Sequence, residues 1–175
     1  MFGKRKTPER KADLLEERLT AAVPEVAALI LDQLEKRLNI HLDGPKKLEV
    51  LFELFAYFMH ILDRMAFQAL GVAGSGAFGD RLVSKVASSL ATADAVNQLR
   101  ETYNMRQVQY ATYRAFIAPE GEPPKETLVW EFSKVLLGLT GDSNPVTLNL
   151  IFGMVCDWTP VVIQEALKVD EVLNS

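Results

Sequence analysis

The sequence contains a single cysteine, Cys156, and only two histidines among its 175 residues. A lone thiol cannot form an internal disulfide, and without a CxxC pair the usual ligands of structural zinc are missing. A di-iron helical bundle needs two Glu-x-x-His pairs, and no glutamate lies three residues before His41 or His60. These shortages predict no catalytic residue, no metal and no cofactor. They also favour a reducing, cytoplasmic compartment, where Cys156 is a buried, unreactive thiol.

Long uncharged apolar runs are missing as well. The best candidate, residues 145–163, is interrupted by Asp157 and contains Asn149 and Pro160, whereas a membrane-spanning helix needs about 20 apolar residues. The basic N-terminus is not followed by the apolar segment of a secretory signal. We therefore expect a soluble chain without a transmembrane segment. Residues 1–7 are expected to form a basic, disordered arm and residues 8–175 to form one domain.

Acidic residues outnumber basic ones outside the N-terminus. Five basic residues lie within the first eleven positions, yet the whole chain has a net charge of −4. An acidic body argues against nucleic acid as a specific partner, because phosphate binding needs a broad basic face. The arm is interpreted either as a solubilising tail or, together with Phe2, as a contact to an anionic membrane surface.

Helix signals recur along the chain, and no run alternates between apolar and polar residues as a half-buried strand would. The sequence predicts an all-α, single-domain bundle of five to six helices, mostly antiparallel, with kinks near Pro24 and Pro160. Prolines mark the predicted starts of helices at Pro8, Pro45, Pro124 and Pro145. Residues 71–79 are predicted to be a glycine-rich connection between helices. A long helix then follows to about Ala118, with a bend around residues 88–94.

One predicted helix, residues 46–70, combines a wide apolar surface with a narrow polar stripe. At about 100° per residue, the stripe collects the following side chains: Glu49, Glu53, His60, Asp63 and Arg64. A histidine among carboxylates at helical spacing is able to bind a small ligand or a single metal ion. The same pattern is typical of a solvated stripe or of a salt bridge between helices. The sequence leaves open whether the stripe faces solvent or an internal pocket.

Asp157 lies in an apolar stretch of the last predicted helix. A buried carboxylate needs a partner, so an ion pair with Arg64 or Arg81 is one interpretation. The other places Asp157 in the wall of a polar pocket opposite His60.

The segment 103–114 is rich in tyrosine, arginine and amides but poor in aliphatic residues. Tyr103, Arg106, Tyr110 and Tyr113 share one helical face. Tyrosine and arginine dominate the energetic centres of protein interfaces, so this face is predicted to bind a partner. Ordinary amphipathic packing is the alternative.

Three hypotheses of function follow. The first is a cytoplasmic interaction or scaffold module, a homo-oligomer without enzymatic activity, since surplus apolar helix surface usually meets another chain. The second is a bundle that binds a small ligand or metal in a polar pocket around His60. The third is peripheral membrane association through the basic arm.

Overall fold

The first helix of the protein begins at a proline, as the sequence predicts. A computed structural model describes residues 8–113, 115–119 and 122–161, and α1 spans Pro8–Leu38. Pro24 lies inside this helix and does not end it. The buried residues Val23 and Ala27 flank Pro24 and pack into the same core. Packing on both sides of the proline offsets its missing hydrogen bond.

The second helix, α2, spans Gly44–Ser88. The Asp43 side chain caps its start by accepting a hydrogen bond from the backbone N–H of Lys46 at 2.9 Å. A turn at Asn39, where φ is 51°, follows α1 and leads into this cap. The α1–α2 connection is therefore specified by local signals.

Helix α2 is not a straight rod. A rise of about 1.5 Å per residue would separate Phe52 from Val86 by roughly 50 Å, yet both side chains line one depression beside α1. Farther along, a Cβ atom added to Gly79 would lie 3.9 Å from Oδ1 of Asp63. The chain therefore reverses direction between Asp63 and Gly79. We call residues 44–63 the first limb of α2 and residues 79–88 its second limb.

The glycine-rich interval 71–79 was predicted to be a connection between two helices. Its backbone is helical, so the expected helix end at Gly71 is wrong. The reversal nevertheless falls between residues 63 and 79, which contain four glycines. The bend predicted around residues 88–94 is a complete break, since α2 ends at Ser88 and α3 spans Ala93–Tyr110. Helix α3 also ends earlier than the predicted Ala118.

Two shorter helices complete the described bundle, α4 at Leu128–Thr140 and α5 at Pro145–Val161. Helix α4 starts after the cap residue Thr127, four positions later than the predicted start at Pro124. Helix α5 starts at Pro145 as predicted. Pro160 lies inside α5. The described part of the chain contains no strand, and the predicted all-helical class is confirmed.

The first limb of α2 is the centre of the molecule. Every side chain from Phe52 to Leu62 is buried. Helix α1 packs on α2 and on α5, α3 packs on α2, and α4 packs on both α2 and α5. Tyr57 of α2 stacks on Phe132 of α4, with ring centroids 4.0 Å apart and ring planes 7° apart. These contacts leave the outer faces of α3 and α5 uncovered by other described helices.

Candidate functional site

The polar stripe of α2 faces α3. Glu53 and His60 are only 7% and 4% exposed, and on α3 Tyr103 and Tyr110 are 8% and 0% exposed. The predicted partner-binding face of α3 is therefore turned inwards against the stripe, and its interpretation as an exposed partner surface is wrong. Tyrosine and arginine also suit a polar contact inside a protein, because each combines an apolar body with hydrogen-bonding groups. We call this contact the α2–α3 polar layer.

A two-point ion pair lies in this layer. Arg106 donates from Nε to Oε2 of Glu53 and from Nη2 to Oε1, both at 2.7 Å. The Glu53 and Arg106 side chains are 9% and 15% exposed. Arg106 Nη1 also donates to Oε1 of Gln109. Two parallel hydrogen bonds fix the distance and the rotation of α3 relative to α2.

His60 lies about two turns farther along α2. Its Nδ1 is 2.8 Å from Oε1 of Gln107 on α3. Burial lowers the pKa of His60, the hydrogen bond to Gln107 opposes this shift, and the charge of Arg64 adds to it. The imidazole is therefore neutral at pH 7. With Nδ1–H donating to Gln107, the lone pair remains on Nε2.

Asp63 faces the second limb of α2. Burial, followed by the charge of Asp80, raises the pKa of Asp63. Burial and the same two carboxylates raise the pKa of Tyr103 to about 12, so its hydroxyl keeps its proton at pH 7. The hydroxyl group of Tyr103 lies against Gly79, where a Cβ atom would be only 2.6 Å from it. The absence of a side chain at residue 79 thus permits the close approach of α3.

We expect Gly79→Ala to lower the free energy of unfolding by about 1–3 kcal/mol, because the added methyl group overlaps a buried tyrosine. Urea denaturation measures this change. The same substitution should cost less in a Tyr103→Phe background, which lacks the overlapping oxygen. Gly138→Ala is the control, since no atom lies within 4 Å of its Cβ position, and it should be neutral or stabilise by about 0.5–1 kcal/mol. Equal losses at residues 79 and 138 would contradict the prediction.

Arg64 of α2 binds the segment that follows α3. Its Nη1 donates to the backbone carbonyl of Tyr113 at 2.9 Å, and its guanidinium lies 4.8 Å from the ring centroid of Phe116. Arg64 and Tyr113, two of the predicted site residues, therefore meet at the edge of the α2–α3 polar layer. Their contact is through a backbone carbonyl, which no pattern of side chains in the sequence encodes.

Asp157 does not belong to this layer. It is exposed on the outer face of α5, in a depression of about 250 Å³ that Arg37 of α1 also lines. The expectation of a buried carboxylate opposite His60, or paired with Arg64, is wrong because this face of α5 points away from α2. Glu49 is likewise at the rim, where it pairs with Lys46 at 2.8 Å. Of the predicted ligand-binding residues, Glu53, His60, Asp63 and Arg64 remain together.

Sequence reasoning missed two tertiary contacts. Buried Glu16 of α1 pairs with Arg81 at 3.1 Å and with Lys85 at 2.5 Å. The spacing of four residues between the two basic side chains, which puts them on one helical face, was a usable signal. The hydroxyl groups of buried Tyr57 and Thr159 are hydrogen-bonded at 2.9 Å. No local signal marks this second pair, whose members are far apart in sequence.

The chemistry of the layer is that of hydrogen bonding. Within the described residues no group of three His, Cys, Asp or Glu side chains is placed to hold a metal ion. Cys156 is half-buried, and burial followed by the charge of Asp157 raises the pKa of its thiol. It is therefore a protonated thiol at pH 7, which is a poor nucleophile.

Comparisons with protein-family models, with curated proteins and with solved structures found no match. Among the helices of the described ranges, none is long and apolar enough to cross a membrane.

Proposed function

We propose that the protein is an interaction or scaffold module that forms a homodimer through the outer face of α5 and has no enzymatic activity. One observation carries the proposal. Val146 and Leu150 are 64% and 54% exposed, and they lie one turn apart on a helix of largely apolar sequence. Gly153 follows on the same face, and no atom lies within 4 Å of its Cβ position. Large apolar side chains beside a glycine are typical of a helix face that packs against another helix.

The charges around this face support self-association. Arg37 and Asp157 line one depression together with the apolar residues Leu38, Leu150 and Met154. A two-fold interface brings the same patch of both chains together, so the patch must be complementary to itself. A surface that carries an apolar centre and both signs of charge meets this requirement. The partner surface that the sequence assigned to α3 is thus proposed on α5 instead.

Leu150→Glu tests the homodimer. We expect the wild-type protein to sediment at micromolar concentration with twice the 19.5 kDa mass of the chain. The variant should dissociate at least about 30-fold more readily, because it places a charge in the apolar centre of the interface. Val108→Glu is the matched control, since Val108 is 76% exposed but lies on α3, and it should leave the mass unchanged. A wild-type chain that stays monomeric at every concentration removes the proposal.

The localisation and the two other hypotheses rest on different parts of the molecule. A cytoplasmic location is proposed because a chain with one cysteine needs no oxidising compartment. Membrane attachment depends on Phe2 and the basic residues of the first eleven positions, of which residues 1–7 lie outside the described residues, and it remains a prediction. The ligand-binding hypothesis depends on the surroundings of His60 in the α2–α3 polar layer.

A further inference from the structure

Three buried polar atoms in the α2–α3 polar layer have no hydrogen-bond partner within the described chain. They are Nε2 of His60, Nε2 of Gln107 and the hydroxyl oxygen of Tyr110. His60 is 4% exposed and Tyr110 is fully buried. Buried polar groups in folded proteins are hydrogen-bonded with few exceptions, and three exceptions in one place point to a common partner.

The three side chains are neighbours. Gln107 contacts His60 through the 2.8 Å hydrogen bond. The rings of His60 and Tyr110 meet edge to face with centroids 5.6 Å apart. Gln107 and Tyr110 are three residues apart on α3 and therefore lie on the same face. The three side chains therefore form one cluster, and we call their inferred shared partner the guest.

The hydrogen-bonding character of the three atoms defines the guest. Nε2 of neutral His60 accepts a hydrogen bond, Nε2 of Gln107 donates one, and the Tyr110 hydroxyl does either. A metal cation would be repelled by the amide donor, and an anion by the imidazole lone pair. The nearby charge of Arg106 is already paired with Glu53. The guest is therefore a neutral molecule that both donates and accepts.

We propose that His60, Gln107 and Tyr110 line an internal binding site for one neutral hydrogen-bonding molecule, and that its occupant is water. The water donates to Nε2 of His60 and accepts from Gln107 or Tyr110. It completes the network that holds α3 on α2 and keeps His60 in the tautomer with its proton on Nδ1. This site is independent of self-association through α5.

A double-mutant cycle tests the shared guest. Tyr110→Phe should lower the equilibrium constant of folding about fivefold, the effect of losing one hydrogen bond. In a His60→Leu background the same substitution should have a smaller effect, because the guest has already lost a partner. Tyr57→Phe is the matched control. Its hydroxyl is bonded directly to Thr159, so its effect should be equal in both backgrounds.

A crystal structure at high resolution gives the second readout, which does not depend on the stability of any variant. One ordered water within hydrogen-bond distance of His60 Nε2 and of Gln107 or Tyr110 is the expected result. The proposal is overturned if this position is dry, or if the density belongs to a larger molecule. The proposal is also overturned if Tyr110→Phe leaves the stability unchanged or raises it in both backgrounds. That result would mean that the buried hydroxyl has no hydrogen-bond partner, because removing an unpaired hydroxyl does not destabilise the protein.

Discussion

Replacing Arg106 with alanine is expected to lower the free energy of unfolding by about 3–5 kcal/mol. The substitution leaves the carboxylate of Glu53 inside the protein without the guanidinium that neutralises it and donates two hydrogen bonds to it. Removing one partner of a buried pair is costly because the remaining charge has already lost its water. Urea denaturation followed by circular dichroism at 222 nm measures the change.

Two further variants separate the effect of burying the ion pair from the effect of losing any charged side chain. Asp32→Ala breaks the pair with Lys36, whose side chains are 52% and 72% exposed, and should cost no more than about 1 kcal/mol. Replacing Glu53 and Arg106 together with leucine should recover most of the loss, since no buried charge is left alone. A cost below about 1 kcal/mol for Arg106→Ala would show that Glu53 is hydrated in solution.

The two halves of the α2–α3 polar layer could each be identified from sequence, but their contact could not. Helical periodicity placed Glu53 and His60 on one stripe, and it placed Tyr103, Arg106 and Tyr110 on one face. Periodicity says which residues share a side of a helix and not what that side meets. Tyrosine and arginine suit an exposed interface and an internal polar layer equally well. The choice between them is made by tertiary packing.

Helix ends were predictable where a local cap defines them. Asn144 accepts a hydrogen bond from the N–H of Val146 at 2.9 Å, and Gly141 ends α4 with a φ of 75°. The end of α3 at Tyr110 has no such signal. There the chain leaves the helix to place the carbonyl of Tyr113 on Arg64, which lies far away in sequence. Contacts of this kind override local helix preference.

Asp157 shows the limit of reasoning from sequence context. Its apolar neighbours favoured burial, and several of them, such as Val155, are indeed buried. The carboxylate itself lies on the opposite, exposed face. On a helix that is apolar almost all round, composition does not indicate which side is covered. The exposed apolar residues beside Asp157 are therefore the feature that needs a partner.

Phe132→Ala should also lower the free energy of unfolding by about 3–5 kcal/mol, because it opens a cavity at the contact between α2 and α4. Phe132 is 1% exposed and stacks on Tyr57, which is itself fully buried. Tyr57 cannot easily move to fill the space, since its hydroxyl is held by Thr159 of α5. Phe67→Ala, at a side chain that is 51% exposed, should cost far less in the same urea titration. Similar losses for the two phenylalanines would contradict the central position of the first limb of α2, because only Phe132 fills space between helices there.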